Sequence, residues 1–314
     1  MLRFLDLPRE LRDAIYAAVI GWERRQPSLE DTQLASAWTL VREADSVRRG
    51  EYGCAYSTKP VPGTCANFLV CNRQIHDEMT QAMARAKRRG LVAARLDCIA
   101  SDESLHAFSW RCMPLVKTVG CAPKGRVRVV LDWAGRLVGR YLKQPSCGGC
   151  VTTIEDLWID IRLFGSRSAK WDLNRRPPER TSWAVCAALK HVFEQDGLLS
   201  PARGFGNEVE VDELTLNVMS PEGQSQEYIA EDFPLDGMCE GIVHPYTVAR
   251  ELVEVWHKIW LGDEFLGVYH GMLLGRIRRV RVCVDGATWR VRELKMELER
   301  GQAERRRIAA RGIW

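Results

Sequence analysis

A chain of 314 residues, 46% hydrophobic and 27% charged, is long enough to bury a sizeable core, and its composition fits neither a disordered chain nor a fibre. Its net charge of +4 is too slight to name a partner, and eleven cysteines, an odd number in a long chain with no export signal, argue against a disulfide framework. Arg3, Asp6, Arg9, Glu10, Arg12 and Asp13 stand where a signal peptide needs an apolar core, and no apolar run approaches membrane-spanning length. The expectation is therefore a cytoplasmic or nuclear protein with no membrane partner.

The opening, Phe4 to Tyr16, reads as a helix start. Asp6 suits a cap, Pro8 suits a first turn where its missing N–H goes unused, and Glu10 suits the positive end of the helix dipole. From Leu11, the residues Ala14, Ile15, Ala18 and Val19 recur at helical spacing and make one continuous apolar face. Residues 24 to 63 mix prolines, glycines and charges and read as a long loop, with one helical turn near Gln33 to Arg42. Thr64 then caps a second helix whose buried face is Phe68, Ile75, Met79, Ala82, Met83 and Ala86. That helix ends at Lys87-Arg88-Arg89-Gly90, with cations and a glycine where a helix end wants them. The two helices are expected to pack as a pair.

From Leu91 the pattern changes to short strands separated by helices. Leu91 to Ile99, Val127 to Asp132, Leu157 to Leu163, Leu214 to Val218 and Val280 to Val284 are runs of Val, Leu, Ile and Trp of strand length. Between them, Trp183 to Gln195 buries Val185, Leu189, Val192 and Phe193, and Tyr246 to Leu261 buries Ala249, Leu252, Val253, Trp256, Ile259 and Trp260 on one face. Strand, helix, strand order implies crossovers and a mainly parallel sheet with helices on a face. The fold class expected is α/β, with N-terminal helices followed by an irregular, leucine-rich-repeat-like α/β layer. The spacing of its strands is too uneven for a regular repeat. Residues 1–88 form the helical region with a polar insertion at about 21–63, residues 89–288 the α/β region, and residues 289–314 a basic helical tail. From Arg276 to Arg311 there are 12 basic and 5 acidic residues, so this end carries +7 and the remainder −3.

The segment Leu7-Pro8-x-Glu10-Leu11-Arg12-x-x-Ile15-Tyr16, with Val70-Cys71-Asn72-Arg73-Gln74-Ile75 downstream, resembles the F-box and F-box-like domains of filamentous fungi over residues 1 to 88. The resemblance implies docking onto the Skp-type adaptor of a cullin-RING ubiquitin ligase through the apolar face of Leu7, Pro8, Leu11 and Ile15. The α/β region would then receive an unidentified protein target. The chain departs from a compact F-box in the long stretch between Gly21 and Gly63, where further helices would follow within a few residues. Glu10-Leu11-Arg12 also resembles short fungal domains of unknown role with a Glu-x-Arg signature. That leaves a second reading open, a stand-alone interaction or structural module whose motif helix belongs to the core.

The remaining motifs weigh towards plain structure. Cys147-Gly148-Gly149-Cys150 has the spacing of half a zinc site, but no second pair and no histidine stands at ligand distance in sequence. The histidines His76, His106, His191, His244, His257 and His270 do not cluster, and no serine sits in a nucleophile elbow. Gly204-Phe205-Gly206 leads into the acids Glu208, Glu210, Asp212 and Glu213 with no lysine, which does not suit a phosphate. The arginines from Arg276 to Arg281 alternate with apolar residues as on a strand, and those at Arg305 to Arg307 sit beside acids, so nucleic acid is not the expected partner. Cys71, Cys98, Cys186 and Cys283 read as reduced, buried small hydrophobes. No catalytic residue, metal or cofactor is expected, and the chain does not read as an enzyme.

Overall fold

The computed structural model describes residues 3–42, 50–62, 66–102, 104–113, 117–119, 151–165, 180–194, 208–220, 244–261 and 270–297, with 299, 300, 303 and 307 beyond them. The expected Thr64 cap, the expected strand at Val127, the Cys147 and Cys150 pair, the Gly204 to Gly206 loop and most of the tail past residue 300 lie outside these. Among the described residues the chain is mixed α/β, built on one sheet of nine strands. The strands are β1 (Trp38–Leu40), β2 (Cys54–Ser57), β3 (Ala94–Ser101), β4 (Leu105–Cys112), β5 (Lys117–Val119), β6 (Val151–Phe164), β7 (Glu208–Met219), β8 (Ile277–Val284) and β9 (Ala287–Glu293). Their order is β1-β2-β4-β3-β6-β7-β8-β9, with β5 also on β6.

The centre of the sheet, β3-β6-β7-β8, is parallel, as the strand, helix, strand order requires. Helix α4 (Arg180–Glu194) links β6 to β7, and α5 (Pro245–Leu261) links β7 to β8. The short helix α6 (Leu273–Arg276) runs straight into β8. Antiparallel pairs flank this centre: β3 with β4, β8 with β9, and β1 with β2. Both crossover helices pack on one face, against Leu96, Cys98, Ile159, Ile161, Leu214, Leu216, Val280 and Val282. Helix α4 is buried almost all round, because its small residues Ala184, Cys186, Ala187 and Ala188 let the sheet and α5 approach from different sides.

The other face of the sheet is polar at its centre, beside a small apolar cluster of Ala55, Ile99 and Ala107 towards β1 and β2. Asp97 takes two hydrogen bonds from Arg162, at 2.9 and 2.6 Å. Asp160 accepts from Trp158 at 2.7 Å and Asn217 at 2.9 Å. Over this face lies the chain just after the first helix: Glu23 pairs with Arg95 at 3.0 Å and Arg111 at 2.6 Å, and the Pro27 carbonyl accepts from Arg162. The stretch from 21 to 63, expected to be a loop, thus supplies a polar cover, two short 3-10 turns, the edge strand β1 and its neighbour β2. Buried polar groups on the sheet need partners, and this segment brings them.

Three further expectations are corrected. The second N-terminal helix is two helices, α2 (Ala66–Leu69) and α3 (Arg73–Arg88), because Asn72 stops the first and caps the second, its side chain accepting from Gln74 N at 2.7 Å. Cys71, in that break, is exposed rather than buried. The start of the basic tail is strand β9, held by its hairpin to β8; residues 294–297 are helical, and Leu294 is fully buried in the main core. The arginines of β8 do alternate as expected, with Ile277, Val280 and Val282 inside and Arg278 outside. Among the described residues no helix is long and apolar enough to cross a membrane.

Candidate docking surface

Helix α1 (Arg9–Ile20) follows a 3-10 turn, Phe4–Asp6, and starts at Pro8, whose carbonyl accepts from Arg12 N. Asp6 does not cap α1. Its carboxylate accepts from Arg3 N at 2.9 Å and closes the 3-10 turn instead. The helix turns Arg12, Tyr16, Val19 and Ile20 towards α3, where Met79 and Ala82 meet them in a small core of their own. Phe4, Tyr16 and Phe68 pack edge to face in one cluster, with ring centroids 5.6 to 6.4 Å apart.

At the centre of that contact sits Glu78. Its Oε2 accepts from Arg12 Nε at 2.9 Å and Tyr16 OH at 3.0 Å, and its Oε1 from Arg12 Nη2 at 2.8 Å, Arg9 Nη1 at 2.9 Å and Gln74 Nε2 at 3.0 Å. The Arg12 guanidinium holds the Glu78 carboxyl down to about 2, helped by Gln74, Tyr16 and Arg9. Burial and then the hydrogen bond to Glu78 push the Tyr16 phenol up to about 12. The remaining Arg12 nitrogen, Nη1, donates to the carbonyls of Leu5 at 3.3 Å and Leu7 at 2.5 Å. One planar fork therefore binds α3 on one side and fixes the backbone at Leu7 on the other, which a lysine lacks the geometry to do.

The four residues singled out in the sequence take no part in that ion-paired cluster through their side chains. Leu11 is 52% exposed, Pro8 is exposed, and Leu7 and Ile15 are half-buried. Ala14 and Ala18 continue the stripe outward along α1, and at its end Trp22 is 54% exposed. Of the four, the structure leaves only Pro8 and Leu11 exposed, with Leu11 and Ile15 one turn apart on α1. Sequence reasoning passed over Arg12, Tyr16 and Glu78 because it counted apolar residues, and a buried ion pair carries no apolar signal. It also passed over Trp22, which follows the Gly21 cap at the end of α1 and is exposed.

The other candidates are dispersed. His106 is buried, with Nε2 3.1 Å from Thr181 Oγ1, and burial holds it down to about 3. His191 stacks on Tyr56, and His76 is exposed. Glu213 of β7 lies between Arg281, at 2.6 Å, and Arg279, at 3.2 Å, and Arg279 also reaches Glu293 at 2.5 Å. The basic strand is thus matched by carboxylates. Among the described residues no three His, Cys, Asp or Glu side chains gather as metal ligands do. Compared with protein-family models, with curated proteins and with solved structures, the chain finds no match.

Proposed function

We propose that the chain is an F-box-like interaction adaptor, a substrate receptor of a cullin-RING ubiquitin ligase. In this reading Leu7, Pro8, Leu11 and Ile15 dock onto the Skp-type adaptor, and the α/β layer, leucine-rich-repeat-like in build, holds the unidentified protein target. The observation that carries the reading is the exposure of Leu11 beside Pro8, on a helix whose opposite side is already complete. Apolar side chains held outward on a rigid, ion-paired base are what a partner can bury at little entropic cost. The test is co-purification of the full chain with a Skp-type adaptor. The wild type should retain the adaptor, and Leu7→Asp with Leu11→Asp should lose it while the far-UV circular dichroism stays unchanged. A wild-type chain that retains no adaptor would sink the reading.

One observation favours the second reading, a stand-alone module. The helix pair is tied to the sheet by the Lys87–Glu155 ion pair, and the chain between α1 and α3 supplies both the polar cover and the strands β1 and β2. An N-terminal part so joined serves as a structural flank of the α/β body. In that case the double Leu7 and Leu11 change unfolds the helix pair, and the far-UV circular dichroism falls with it.

A further inference from the structure

Residues 22–28 join α1 to the 3-10 turn Glu30–Gln33 as irregular backbone laid on the polar face of the sheet. They are fastened there through Glu23, held by Arg95 and Arg111, through Gln26, which donates to Asp97 at 3.4 Å, and through the Pro27 carbonyl, which accepts from Arg162. Arg25 and Ser28 are exposed instead, and Arg25 makes no hydrogen bond or ion pair among the described residues.

The run Arg24-Arg25-Gln26-Pro27-Ser28-Leu29 puts arginines four and three residues before a hydroxyl and a large apolar residue directly after it. Of all the serines and threonines in the chain, Ser28 alone has an arginine three residues before it. Protein kinases select their substrates largely by charge, and an unpaired cation at that distance from an exposed hydroxyl, on backbone free of helix and strand, suits an acidic substrate groove. Among the described residues the backbone of Arg25 to Ser28 is tied to the sheet by the Pro27 carbonyl alone, so little local opening is needed to reach such a groove.

We propose that Ser28 is a phosphorylation site for a protein kinase with an acidic, arginine-selecting groove, and that its phosphate releases the turn that carries β1. The Ser28 Oγ attacks the γ-phosphorus of ATP, the bond from that phosphorus to ADP breaks, and the hydroxyl proton passes to the catalytic carboxylate of the kinase. In the unmodified chain Ser28 and Asp31 hold each other: Ser28 N donates to Asp31 Oδ2 at 2.7 Å, and Asp31 N donates to Ser28 Oγ at 3.2 Å. A phosphate on that oxygen adds a charge of about −1.5 to −2 beside the Asp31 carboxylate, and like charges so close drive the pair apart. Lys59 and Arg25 act on Asp31 only through space, with no ion pair to hold the phosphate in their stead. The Asp31 carbonyl accepts from Trp38 Nε1 at 2.9 Å, and Leu29 packs with Trp38 and Leu40 on the cluster of Ala55, Ile99 and Ala107, so release of the turn reaches the edge strand β1. The α1 stripe plays no part, and the inference does not rest on the adaptor reading.

The test treats the folded full chain with ATP, magnesium and the purified catalytic domain of an arginine-directed serine/threonine kinase, and locates phosphate by peptide mass spectrometry. Ser28 should take up one phosphate per chain, and Arg25→Ala, at an exposed and unpaired position, should slow that uptake at least about tenfold, the order of one charge-assisted contact. Hydrogen exchange on the phosphorylated chain should show the β1 amides exchanging roughly tenfold faster, the scale of one like-charge contact near the surface, with the β6 and β7 amides unchanged. No phosphate on Ser28, or equal rates for wild type and Arg25→Ala, overturns the site. Exchange in β1 that phosphorylation leaves unchanged or slows overturns its effect.

Discussion

Arg12 of α1 and Glu78 of α3, 66 residues apart in the chain, are joined by two hydrogen bonds of 2.9 and 2.8 Å inside the helix pair. Arg12 lies in the first of the two segments that carry the resemblance and Glu78 three residues past the second, on the same helix α3, so the pair links them. Arg12 also holds the Leu7 carbonyl, so a contact made inside the helix pair sets the position of a residue on its outside.

Glu78→Gln should therefore loosen the pair, with a pH signature. The Glu78 carboxyl sits near 2 in the folded chain against an ordinary value of 4.5, so the proton prefers the unfolded state. Its contribution is whole above pH 4.5 and is lost as the pH falls through about 2. Thermal melts across that window should show the wild type losing stability more steeply than Glu78→Gln. Equal slopes would show that the carboxylate is not held as described.

The small core behind that pair depends on few residues. Met79 is fully buried between α1 and α3, and Met79→Ala should cost about 2–5 kcal/mol locally. Hydrogen exchange should report it as faster exchange along α1, with the β6 and β7 amides unchanged. Slowed or unchanged exchange in α1 would contradict the packing.

His106 gives a second, separate pH effect. Burial, with Arg180 nearby, lowers it from 6.5 to about 3, so it folds as the neutral base and protonation favours the unfolded chain. Stability from this group is whole above pH 6.5 and falls as the pH drops towards about 3, by at most about 1.4 kcal/mol per pH unit. His106→Gln should flatten that slope. A variant that keeps the wild-type slope would assign it to other groups.

Gly53 tests how the 50–57 segment joins the sheet. Its φ of +83° lies in the left-handed region, its carbonyl accepts from His106 N, and a Cβ there would run into the Ser104 carbonyl oxygen. Gly53→Ala should cost on the order of 1–3 kcal/mol or more. A melting temperature equal to the wild type would mean that β2 is not seated on β4 as described.

The crossover helices and the central strands were legible in the sequence because each buries a long, regular apolar face. The parallel order of β6, β7 and β8 follows from their placement. β1, β2 and β9 were not legible. Trp38–Leu40 and Cys54–Ser57 are too short and too mixed to show a period, and β9 is outwardly polar because it is an edge with Ala287, Thr288 and Trp289 exposed. β4 was hidden by His106, Ser109 and Arg111, which find partners on Thr181 and Asp160 or simply pack, so its polar residues disguise a central strand. Of the candidate docking surface, the motif named Leu7, Pro8, Leu11 and Ile15 but could not tell that Pro8 and Leu11 are exposed while Leu7 and Ile15 are half-buried. Helical spacing fixes which side chains share a side, while the identity of the buried side was decided by Glu78, far away in the chain.

The most direct measurement of the central claim is a binding titration of the purified full chain against a purified Skp-type adaptor, comparing wild type, Leu11→Asp and Ala17→Asp. Leu11 is 52% exposed, and Ala17 is exposed on the same helix but outside the stripe, so neither change should shift the melting temperature. The expected result is tight binding by wild type and Ala17→Asp and a loss of about 100-fold or more for Leu11→Asp, the scale of a central anchor residue of an interface. Equal affinity for all three chains, or no binding by the wild type, would contradict it.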